Sequence, residues 1–136
     1  MPSERDSIAA ALPNYVLGDE IGRGSFGIVF GAQHRSLGRH VAVKVLEQGD
    51  HPGARDRFFN EAKLIASLSH PHIVPVHDFV VTDELCVLVM ERLDQTLTDR
   101  FGDRGVAADE ACAIALAACA ALQAAHEKGV LHRSEE

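Results

Sequence analysis

Three glycines in six residues, Gly22-Arg23-Gly24-Ser25-Phe26-Gly27, run directly into Ile28-Val29-Phe30, and this stretch constrains the fold more than any other. Glycines at that spacing let a backbone turn tightly and approach a phosphate closely, and dinucleotide-binding folds use the same pattern. In those folds the third glycine opens a helix. Here it opens a β-branched and aromatic run suited to a strand, so the glycines join two strands. Taken alone, the run fits a plain glycine-rich hairpin as well as a phosphate-binding loop.

The rest of the chain extends that hairpin into a sheet. Tyr15 to Ile21 and Gly27 to Gln33 read as the strands flanking the loop, and Val-rich His40 to Leu46 as a third, which suggests an antiparallel arrangement. After a turn-rich Asp50 to Gly53, apolar spacing becomes helical from Ala54 to Leu68, with Phe58, Ala62, Ile65 and Leu68 on one stripe. Val74 to Val81 and Leu85 to Glu91 are two more strands around a Thr82-Asp83-Glu84 turn. Thr96 to Phe101 is a short helix, and Ala107 to Lys128 a long one closed by Gly129. The expected fold class is α+β: a five-stranded antiparallel sheet with one packed helix, then a short and a long helix. Three regions follow, an N-terminal extension at 1–14, the sheet lobe at 15–93, and a helical region at 94–136.

Composition excludes several classes of function. With 136 residues and 46% hydrophobic content, the chain has enough apolar mass for one real core. A net charge of -7, and no run among its 13 basic residues, argue against a nucleic-acid partner. Cys86, Cys112 and Cys119 are odd in number and lack CxxC spacing, which points to a reduced, cytoplasmic protein without a disulfide framework or zinc site. Met1 to Pro13 carries Glu4 and Asp6 and has no apolar core of signal-peptide length. The longest apolar run, Ala111 to Leu122, is too short to span a bilayer and is expected to be a buried helix; no membrane segment is predicted.

Two charged residues then stand out. Alternation along Val41-Ala42-Val43-Lys44-Val45-Leu46 puts the valines on one face and Lys44 with Ala42 and Leu46 on the other, so a lysine projects from an otherwise apolar strand. An isolated strand lysine is ordinarily a solvated one. Glu61 shares the helical stripe of Phe58 and Ile65 and is expected to face the sheet. Burying an unpaired carboxylate costs several kcal/mol, on the order of what only a partner cation offsets, and Lys44 is the obvious one.

Loop, lysine and glutamate occur in the order in which the chain resembles a bacterial, eukaryotic-like Ser/Thr protein kinase, over about residues 15–133. That resemblance implies that Gly22 to Val29 covers the phosphates of ATP, and that Lys44, paired with Glu61, contacts the α- and β-phosphates. His70-Pro71-His72-Ile73-Val74 resembles the segment between the helix and the fourth strand; His70, His72 and His77 lack the Cys or carboxylate that would complete a metal site. Leu88-Val89-Met90-Glu91-Arg92-Leu93 resembles the fifth strand and hinge, which implies a gatekeeper at Met90, backbone contacts to adenine from Glu91 and Leu93, and an apolar roof from Val29 and Ala42. The nucleotide-binding set implied is Ile21, Gly22, Arg23, Gly24, Ser25, Phe26, Gly27, Ile28, Val29, Ala42, Lys44, Met90, Glu91 and Leu93.

One departure accompanies the match. His132-Arg133 resembles the start of the family's catalytic His-Arg-Asp, but the next residue is Ser134, whose hydroxyl cannot accept the substrate proton as a carboxylate does. The Mg2+ ligands that the family carries further on are absent from these 136 residues, so region 94–136 is expected to be an incomplete second lobe. Three readings remain. The chain is the ATP-binding part of a Ser/Thr kinase and inactive by itself, or a pseudokinase-like nucleotide-binding module, or an interaction domain that needs no nucleotide. Its protein substrate or partner is unspecified, and self-association through 111–122 is expected.

Overall fold

The computed structural model describes residues 3–24, 27–47, 53–82 and 85–130. Ser25 and Phe26, most of the turns expected at 50–53 and 82–84, and the stretch containing His132, Arg133 and Ser134 lie outside the described residues.

Alternating valines make β3 (His40–Glu47) the centre of a sheet completed by β1 (Tyr15–Gly24), β2 (Gly27–His34), β4 (Val76–Val81) and β5 (Leu85–Glu91). The order is β1-β2-β3-β5-β4, with every neighbouring pair antiparallel. Strand limits differ from expectation for local reasons. β1 runs on to Gly24 because Gly22, Arg23 and Gly24 keep pairing with Val29, Ile28 and Gly27. β4 starts at Val76 because Pro75 has no N–H for a ladder; its carbonyl instead accepts from the Glu91 N–H at 3.0 Å.

Side-chain alternation divides the sheet. One face carries Ile28, Phe30, Ala32, Val41, Val43, Val45, Val87 and Val89, all buried in a single apolar cluster. Ile8 and Leu12 complete it, and they come from the N-terminal extension. That segment is a helix, α1 (Glu4–Ala11), begun by a capping box in which Ser3 Oγ accepts from the Asp6 N–H at 3.1 Å and the Asp6 carboxylate accepts from the Ser3 N–H at 3.0 Å. These hydrogen bonds from Ser3, backbone first, hold the Asp6 carboxyl below its ordinary pKa.

The other face carries Ala42, Lys44, Leu46, Cys86, Leu88 and Met90, paired across β3 and β5. Over it lies α2 (Ala54–Ala66), with the Phe59 ring edge-on to Phe79 of β4 at 5.6 Å and Ala62 buried. The helix stops two residues short of the expected Leu68. Ser67 Oγ caps the Leu64 carbonyl at 2.6 Å, and the approaching His70-Pro71 disfavours helical backbone.

A short α3 (Leu97–Phe101), a 3-10 turn (Gly102–Arg104) and α4 (Ala108–Glu127) follow. α4 ends as glycine chemistry dictates: Gly129 adopts φ 82°, its N–H reaches the His126 carbonyl at 3.0 Å, and Val130 N–H reaches Ala125 at 2.9 Å. Its C-terminal end is tied to the end of α2 by Lys128 Nζ donating to the Ser67 carbonyl at 3.1 Å. The expected burial of 111–122 is not found. Ala125 is the buried residue of this helix, whereas Leu116 is 67% exposed. By length and composition α4 is also apolar enough to cross a membrane, so the 12-residue run understated it; core helices of soluble proteins meet the same criterion.

Candidate functional site

Strand register brings the glycine-rich loop and the lysine onto one line. Gly22 stands opposite Val29, Val29 opposite Lys44, Lys44 opposite Leu88, and Leu88 opposite Phe79, a row that crosses all five strands on the α2 face. With strands about 4.8 Å apart, Gly22 and Lys44 are separated by roughly 10 Å. The next row runs Gly31, Ala42, Met90 and Val76. Apolar and small residues therefore flank a half-buried lysine on a surface that begins at a glycine turn.

The turn is built for close backbone approach. Gly24 pairs with Gly27, and Gly27 holds φ 139° with the position of a Cβ only 1.9 Å from the Val45 carbonyl oxygen, so no side chain fits there. Gly22 is different: a Cβ built on it meets nothing nearer than the Val29 Cβ at 4.0 Å, which leaves open space on the Lys44 side of the sheet. A glycine turn with open space beside it and an adjacent cation is a donor set that fits the phosphates of a nucleotide.

Other members of the expected set take varied positions. Val29 and Met90 are half-buried, Ala42 is buried, and the apolar side chains of Ile21 and Leu93 are 45% and 59% exposed at the two ends of the surface. Ile28 stands opposite Val45, and its side chain is part of the core on the far face, so only its backbone is on the loop. Arg23 turns its guanidinium onto Glu20 at 2.7 Å, an exposed i,i+3 pair of small energetic weight that holds the guanidinium pKa above its ordinary value. The N–H of Glu91 is committed to Pro75, which leaves its carbonyl as the group that a ligand could use.

Glu61 is half-buried on α2. Cys86, on the same sheet face as Lys44, has its thiol pushed above its ordinary pKa, first by burial and then by the negative charge of Glu61. Among the described residues no group of three His, Cys, Asp or Glu gathers as a metal site, and His70 and His72 face each other at 5.6 Å between ring centres.

Sequence reasoning missed Arg92. Its guanidinium reaches from the end of β5 across the sheet to β2, where a Cβ on Gly31 would come within 2.7 Å of Nη1. The legible signal was a glycine in the middle of a strand, which marks the close approach of another group.

The protein kinase domain family matches residues 15–134. Serine/threonine-protein kinase Pkn1 of Myxococcus xanthus is 36% identical over 115 residues, covering 83% of this chain and 17% of that protein. Serine/threonine-protein kinase PknH of Mycobacterium tuberculosis is 35% identical over 140 residues, covering 98% of this chain and 22% of that protein. The chain thus spans about a fifth of the length of these curated relatives.

Proposed function

This chain belongs to the protein kinase domain family and is similar to bacterial Ser/Thr protein kinases, and from that premise we propose that it is the ATP-binding lobe of such a kinase. The observation that carries the proposal is the register row Gly22–Val29–Lys44, on the same sheet face as α2 but on β1 to β3, beside the β4 and β5 strands on which that helix packs. Backbone N–H groups of the glycine turn take the phosphates, and Lys44 supplies their counter-charge. Glu61 orients the Lys44 ammonium from α2. Ile21, Val29 and Ala42 form the apolar roof over the adenine, with Met90 behind it and the carbonyl of Glu91 and the backbone of Leu93 at its polar edge. ATP supplies the phosphoryl group that a complete kinase transfers with Mg2+, and we assign no Mg2+ ligand among these residues.

Ser134 favours binding without transfer by this chain. At the place where the family carries an aspartate it has a hydroxyl, which neither orients the acceptor hydroxyl nor takes its proton. In the longer protein to which such a lobe belongs, the acceptor is a protein Ser or Thr.

Isothermal titration of the 136-residue chain with ATP tests the proposal. Saturable binding is expected, weakened about tenfold or more in Lys44→Met, a change worth about 1.4 kcal/mol. No saturable binding, or equal binding by the variant, contradicts it.

A further inference from the structure

We propose that Arg5 is a positioning residue for the glycine-rich turn, holding β1 from a helix that lies outside the kinase family's own boundaries. The family match begins at residue 15, and nothing in it assigns a role to residues 3–14.

β1 is an edge strand and does not run straight into its glycines. After Leu17 pairs with Ala32, Gly18 and Asp19 together stand against Gly31; after Glu20 pairs with Phe30, Ile21 is again an extra residue before Gly22 meets Val29. Each bulge bends the strand and increases its twist, so two of them in five residues decide where the turn is aimed. The first is packed backbone on backbone, because a Cβ on Gly18 would lie 2.9 Å from the Gly31 carbonyl oxygen. Neither Gly18 nor Gly31 has a side chain to lock that junction.

Arg5 supplies the lock. Its Nη1 donates to the Gly18 carbonyl at 2.8 Å and its Nη2 to the Leu17 carbonyl at 2.9 Å, so one planar fork grips two successive residues where β1 leaves its ladder. The same guanidinium lies 6.0 Å from the ring centre of Phe30, the residue opposite the second bulge. The fork stands on a firm base. Ile8 and Leu12 anchor α1 in the core, and Arg35 fixes the exit of the helix, with Nε donating to the Pro13 carbonyl at 2.9 Å and its backbone N–H to the Asn14 carbonyl at 2.8 Å. Apolar anchoring holds the helix, while exposed Arg5 transmits its position to the strand, so the two roles are separable by mutation.

The consequence for nucleotide binding rests on the ATP reading above; the consequence for the strand does not. Arg5→Met and Arg5→Lys are compared with the unmodified 136-residue chain by residue-resolved hydrogen exchange, thermal melting and ATP titration. In Arg5→Met the amides of residues 18–24 and 27–29 are expected to exchange about tenfold faster, with β3 and β5 unchanged and the melting temperature within a few degrees. Arg5→Lys, which keeps the cation but not the fork, is expected to recover part of that protection, and ATP affinity is expected to fall about threefold to tenfold in Arg5→Met and less in Arg5→Lys. Unchanged exchange in β1, or equal loss of protection throughout the sheet, overturns the proposal, the second because it marks a purely structural contact. Normal ATP affinity despite a loosened β1 overturns its link to the nucleotide. If the unmodified chain binds no ATP, the functional reading fails and the exchange pattern alone decides the role of Arg5.

Discussion

Single residues carry the chemistry, and Lys44 and Glu61 are the most informative. With the two paired as proposed, Glu61→Ala strands the charge of a half-buried lysine, whereas Lys44→Met leaves an apolar stem packed between Val29 and Leu88. Glu61→Ala is therefore expected to be the more destabilising, by about 1 kcal/mol at this partial exposure, in denaturant melts. The reverse order would speak against the pairing. Gly27→Ala is expected to cost about 2–3 kcal/mol, because it combines a positive φ with a Cβ 1.9 Å from the Val45 carbonyl oxygen. Thiol accessibility gives an independent check of the sheet: buried Cys86, its thiol raised in pKa, should react with a thiol reagent only after denaturation. Lys44 and Gly27 were legible because their peculiarity is local, a cation in an apolar alternation and a glycine before a β-branched run. Arg92 was not, because its contact with Gly31 depends on which strands the sheet brings side by side.

At the scale of elements, the valine alternation and the glycine punctuation were enough to find all five strands, and the helical stripe was enough to find α2. Ends were less legible. Whether β1 stops at Ile21 or Gly24 is decided by its partner Gly27–Val29, and whether α2 reaches Leu68 is decided by Ser67 and Pro71. α1 escaped notice because eight residues with a weak apolar stripe carry little periodicity, although Ser3-x-x-Asp6 before Ile8 and Leu12 was a capping signature. Ile8→Ala is expected to cost about 2–4 kcal/mol, as for other fully buried isoleucines, and chemical denaturation measures it. The cap should also respond to acid. Asp6 has a folded pKa below its unfolded one, so its stabilising contribution is present above the ordinary carboxylate pKa and disappears as pH falls through the lowered value. Exchange of the first-turn amides of α1 is expected to rise over that interval, and Asp6→Asn to remove the dependence.

On the scale of the whole molecule, the sheet lobe carries α1 on one face and α2 over β4 and β5 on the other, while α4 has little cover among the described residues. An apolar helix left open to water seeks a partner. The 136-residue chain is therefore expected to self-associate, with light scattering showing a mass that rises with concentration and falls when Leu116→Glu and Leu122→Glu are introduced; a constant monomer mass speaks against it. Phosphoryl transfer is a property of metals, base and acceptor acting together, so Ser134→Asp should leave the chain without transfer activity. Label transfer from radiolabelled ATP that disappears in Lys44→Met would contradict this. The central claim is that ATP lies on the row Gly22–Val29–Lys44, and amide chemical-shift mapping of the labelled chain tests it most directly. Addition of ATP should shift Gly22, Gly27 to Val29, Ala42 to Lys44 and Leu93, and Lys44→Met should abolish the pattern at the same concentration. No shifts, or shifts on α4 alone that the variant retains, would contradict it.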